Sequence, residues 1–120
     1  MQGITALESQ EQAAYFEWAQ YIPELKWAHA IPNGGRRDKK EAANLKRQGV
    51  KAGVSDIFIP LARGKYHGLY IELKTKTGKP SAEQKEFISD MHRNGYAAVF
   101  CYGAEEAIEA TKQYLKLKKG

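Results

Sequence analysis

The chain has 120 residues, enough for one compact domain that buries a core without disulfide or zinc support, and residues 1–120 are read as a single domain. The lone cysteine, Cys101, excludes an internal disulfide and there is no Cys/His ligand cluster, which fits a reducing, intracellular setting. The opening residues lack a signal-peptide pattern and no run reaches the roughly 18 apolar residues of a membrane span, while a formal charge of +5 and a pI near 9.3 suit a polyanionic partner.

Residues 8–21 carry Ala14, Phe16, Trp18 and Ala19 at spacings that predict an amphipathic helix, ended by Pro23. Residues 26–31 alternate enough for a strand, closed by Pro32-Asn33-Gly34-Gly35. Residues 37–48 are polar, basic and helix-compatible, with Gly49 as the stop. Residues 55–59 and 67–74 read as two strands of a hairpin about the Arg63-Gly64-Lys65 turn. Ser81 and Gln84 form a capping-box pattern that opens a helix running to about residue 94. The continuous apolar run at 96–102 predicts a buried central strand, and residues 104–117 a last helix. The strand at 96–102 follows that at 67–74 through a helix, so the two are expected to form a right-handed parallel crossover in a mixed sheet. Trp18 and Trp27 are read as core, and the strand aromatics Tyr66, His67 and Tyr70 as packing, with contact to DNA as the alternative.

The hairpin carries the chemistry. Asp56 starts one strand and Glu72 lies near the end of the next, and in an antiparallel pair those ends lie side by side. Two carboxylates facing one ion suit Mg²⁺, which takes one or two carboxylates together with waters and substrate phosphate. Such an ion promotes phosphodiester hydrolysis by neutralising the phosphate and acidifying the attacking water. Lys74, two residues after Glu72, projects from the same strand face and can stabilise charge growing on phosphate. Leu73 between them points to the core, and its backbone carbonyl is a further candidate ligand. Glu-x-Lys occurs three times, at 24–26, 72–74 and 83–85, so the tripeptide alone says little. Only the middle copy has an aspartate across a hairpin; the bland alternative is a set of solvated strand-end charges.

The segment Gly53-Val54-Ser55-Asp56-Ile57, then Ile71-Glu72-Leu73-Lys74, then Lys79-Pro80-Ser81-Ala82-Glu83-Gln84, resembles in content and order the motifs of the VRR-Nuc family, within the PD-(D/E)xK nuclease superfamily. Serine stands at 55 where the family most often has proline, and neither residue bears the chemistry. Glu8-Ser9-Gln10-Glu11-Gln12 resembles the first-helix motif, and Ile31-Pro32-Asn33-Gly34-Gly35 the loop that enters the basic helix. The helix and strand ending at 96–102 match as well, so the likeness spans nearly the whole chain.

The resemblance implies an α/β restriction-endonuclease-like core, a mixed four-stranded sheet flanked by helices. It implies Asp56 and Glu72 as metal ligands, Lys74 as the catalytic lysine and Gln84 assisting from its helix. For Gln84 the competing reading is the capping-box partner of Ser81, and one residue is not expected to do both. Glu8 is the expected first-helix carboxylate on its spacing to Gln12, with Glu11 as the alternative. Arg36, Arg37, Lys39, Lys40, Lys46, Arg47, Lys51 and Lys76 would hold DNA phosphates, against the alternative of a solvated helix face. The implied cofactor is Mg²⁺, with Mn²⁺ as a substitute, and the implied partner is branched DNA. The stand-alone phage and bacterial members look like Holliday-junction resolvases that work as homodimers, in the cytoplasm of a bacterial cell. The competing functions are a flap- or duplex-directed nuclease of the same fold, a non-catalytic DNA-binding module and an unrelated protein-binding domain.

Overall fold

The computed structural model describes residues 6–32 and 39–119. Its elements are α1 (Ala6–Ala19), a 3₁₀ turn (Pro23–Leu25), β1 (His29–Ala30), α2 (Lys39–Arg47), β2 (Ile57–Ile59), β3 (Leu69–Lys74), α3 (Ala82–Arg93), β4 (Ala97–Tyr102) and α4 (Ala104–Leu115). The strands form one mixed sheet in the order β1-β2-β3-β4, antiparallel except for the parallel pair β3 and β4. This is the α/β arrangement expected of a restriction-endonuclease-like core. No described helix is long and apolar enough to cross a membrane.

Strand alternation sorts the residues into two faces. Ile57, Ile59, Leu69, Ile71 and Leu73 are buried in one core with Tyr15 and Ala19 of α1 and Ala104, Ala107 and Tyr114 of α4. Each fully buried Ile or Leu stabilises the fold by about 1.5–3 kcal/mol. The buried Tyr15 hydroxyl bonds Thr111 Oγ1 at 2.8 Å, and burial pushes the phenol up to about 12. On the other face Phe58 stacks on Tyr70 at 4.3 Å, with Tyr96 and Phe87 edge-on to Tyr70. Tyr70 is thus a packing residue. That second face also carries Asp56, Glu72 and Lys74.

Three expectations need correction. The strand expected at 26–31 shrinks to two residues, because Pro23–Leu25 forms a 3₁₀ turn and the chain meets the edge of β2 only at His29 and Ala30. Trp27, read as core, is 70% exposed beside that turn, with Lys26 Nζ over its ring; Trp18 does pack against the core. The strand expected to be central, β4, lies at the sheet's edge and pairs only with β3. Its apolar run reflects helices on both faces, α4 on one and α3 on the other, rather than strands on both sides.

Candidate active site

One residue beyond the ladder pair Ile57 and Ile71, Asp56 comes opposite Glu72. Its carboxylate is fixed there, since Leu73 N–H donates to Asp56 Oδ2 at 2.8 Å. Its carbonyl accepts from Ile31 N–H at 2.7 Å, which ties β1 to the same point. The approach to Asp56 requires a glycine. Gly53 has φ +91°, and a Cβ there would lie 2.6 Å from the Glu83 carbonyl oxygen. Only glycine adopts that conformation freely while touching another backbone. The loop therefore lies against the first turn of α3, next to Gln84.

Gln84 is the hinge of the site. Its Oε1 accepts from Ser81 N–H at 2.9 Å, and its own N–H donates to Ser81 Oγ at 3.1 Å, which completes the capping box. The same Oε1 accepts from Lys74 Nζ at 3.2 Å, while Nε2 donates to Glu72 Oε2 at 3.0 Å. Gln84 was expected either to cap its helix or to lie at the site; one amide both completes the cap and bonds Lys74 and Glu72. A primary amide has an acceptor with two lone pairs and two donors, so cap, lysine and glutamate use different valences.

The electrostatics follow from burial. Glu72 is 4% exposed, and its Oε1 is buried without a hydrogen-bond partner. Desolvation first, and the Asp56 charge second, push Glu72 up to about 9, against which Lys74 pulls it down. Asp56 is also raised, mainly by desolvation, while the Leu73 amide holds it back. Glu8 adds its negative charge to both. Lys74 is the positive charge set against this buried Glu72 and half-buried Asp56, and one Glu72 oxygen still lacks a donor. This donor set fits a small divalent cation, which two carboxylates with water and phosphate would satisfy.

Glu8 and Glu11 separate clearly. Glu11 Oε1 accepts from Ala104 N–H at 2.6 Å and so caps α4, whose own N-cap, Gly103, has no side chain. Glu8 is the acid whose field reaches Asp56 and Glu72. Among the described residues no group of three His, Cys, Asp or Glu side chains is close enough to hold a metal, and the Glu8 charge raises both carboxyls of the pair. Leu73 sends its side chain into the core and its amide to Asp56. Lys39, Lys40, Lys46, Arg47, Lys51 and Lys76 are exposed, whereas Arg36 and Arg37 lie outside the described residues.

The VRR-NUC domain family matches this sequence over residues 6–105. The chain belongs to the VRR-NUC family. A solved structure described as a "VRR_NUC domain protein" superposes with a TM-score of 0.84 at 35% identity, over 96% of this chain and 93% of its own. No curated protein gives a significant sequence match. VRR-NUC membership implies a nuclease-type function in DNA processing, with DNA as the substrate. Within the VRR-NUC motifs, the Leu73 amide holding Asp56 and the Glu11 cap escaped sequence reasoning. The hairpin register could have indicated the first, but nothing local marks the second, because its partner lies 93 residues away.

Proposed function

We propose that this VRR-NUC chain is an intracellular, divalent-cation-dependent endodeoxyribonuclease that cuts branched DNA, a four-way junction foremost, as a homodimer. The observation that carries the reading is the meeting of Glu72 and Lys74 on one side chain, Gln84, with Asp56 held opposite Glu72 across the hairpin. Asp56 and Glu72 would hold Mg²⁺ or Mn²⁺, with the Leu73 carbonyl as an added oxygen donor and Glu8 a further negative charge nearby. When bound, the cation supplies charge neutralisation at the phosphate and a more acidic water. Lys74, held by Gln84, faces the phosphate and offsets the negative charge that grows as water attacks. Gln84 keeps lysine and glutamate in mutual register, so the two act on the same phosphate. Paired cuts across a junction need two sites related by a two-fold axis, which a C2 dimer provides.

The test is cleavage of labelled four-way junction, flap, linear duplex and single-stranded DNA with Mg²⁺, Mn²⁺ or EDTA, beside Lys74→Ala and Asp56→Ala. Paired symmetric junction cuts, abolished by EDTA and by both substitutions, are expected. Cutting confined to flaps or duplex would keep the site and discard the junction. Tight binding without metal-dependent cutting of any substrate would leave a non-catalytic DNA-binding module.

A further inference from the structure

In the parallel pair of β3 and β4, Lys74 stands in register with Tyr102. Adjacent strands lie about 4.8 Å apart and residues in register share a face, so the phenol ring emerges beside the lysine. Tyr102 is 39% exposed, at the end of a strand whose other apolar residues are more covered. Its backbone N–H already donates to Glu106 Oε1 at 2.7 Å, so the strand end is held without the ring.

A cavity of about 560 Å³ opens at this point, lined by Leu7, Glu11, Lys74, Thr75, Lys76 and Tyr102, with Glu105 also in its wall. That volume falls within the range of sites for molecules the size of a nucleotide. Its walls divide by chemistry. Leu7, itself more than half exposed, and the Tyr102 ring are apolar surfaces, while Lys74 ends β3 and Lys76 lies in the turn after it. Of the two acids, Glu11 is occupied by the Ala104 amide. An aromatic face accepts any base by stacking, and lysines accept the phosphate. Stacking needs a base free of its partner strand.

We infer that this cavity receives one unpaired nucleotide of the strand being cut, its base against Tyr102 and Leu7 and its phosphate at Lys76. Tyr102 then makes the enzyme favour DNA that can splay a nucleotide beside the scissile phosphate over continuous duplex. The inference rests on the nuclease reading of the adjoining site and concerns its substrate class. It is tested by binding rather than by cutting, in an Asp56→Asn background. The probes are a forked DNA with 2-aminopurine as its first unpaired nucleotide and a duplex with the same base paired.

Binding of the fork should quench the 2-aminopurine. Adding Tyr102→Ala should remove the quenching and weaken fork binding about tenfold, the scale of one missing stack, with duplex binding unchanged. Tyr102→Phe should restore both. Equal weakening on fork and duplex, no quenching with Tyr102 present, or no binding to the fork would overturn the subsite. If the native chain cuts DNA and Tyr102→Ala cuts forks as efficiently, the subsite fails and the nuclease stands. If it cuts nothing but quenching depends on Tyr102, the nuclease reading fails and the subsite stands.

Discussion

A carboxyl buried against a second carboxyl resists ionisation for two reasons, poorer hydration and like charge. Glu72 meets both, and its value moves from the ordinary 4.5 to about 9. Between those two values the folded chain, free of metal, keeps a proton that the unfolded chain has released. Stability therefore falls as pH rises through that window, since the folded state binds the extra proton. Melting temperatures in EDTA at pH 5, 7 and 9 should decline more steeply for the native protein than for Glu72→Gln, whose amide never ionises. A native slope no steeper than that of Glu72→Gln would deny that this carboxyl carries the strain. Added Mg²⁺ should reverse the decline at high pH, because an ion that needs both carboxylates displaces that proton. Ser55, next to Asp56 in the chain, has a buried hydroxyl without a hydrogen-bond partner.

At the scale of elements, α1 serves two tasks with two acids three residues apart. Glu11 reaches the first amide of α4, and Glu8 faces the carboxyl pair through its field. Glu11→Ala should cost about 1–2 kcal/mol, the usual effect of removing an N-cap, read as a lowered denaturant midpoint. Cleavage per folded molecule should persist, with an unchanged cation requirement. Glu8→Gln should raise severalfold the Mg²⁺ concentration for half-maximal cutting. The reverse pattern would exchange the two roles. Sequence could place both acids on one helix but could not divide them, since the division depends on α4 starting with Gly103, which offers no side-chain cap. The carboxylate pair was legible because strand alternation fixes a hairpin's register once its turn is found. The double use of Gln84 was hidden for the opposite reason: a capping box describes one end of the amide and is silent on the other. The edge position of β4 was hidden as well, because an apolar run reports cover on both faces, whether by strands or by helices.

For the whole molecule the question is what the excess positive charge is for. No residue of α2 is buried, and its Lys39, Lys40, Lys46 and Arg47 are exposed, so this helix adds little to the core. A solvated face and a phosphate-binding face look alike until salt is varied. Each phosphate neutralised on duplex DNA steepens the fall of log affinity with log salt by about 0.9. Replacing those four cations by glutamine should flatten the slope by about that amount for every phosphate left without its cation, and should raise KM while sparing kcat. Charges that position DNA act on ground state and transition state alike, whereas the role proposed for Lys74 is confined to the transition state, so Lys74→Ala should lower kcat instead. A slope unchanged by the fourfold substitution would make α2 a solvated face and leave DNA to be held from the β3 end, where Lys76 stands.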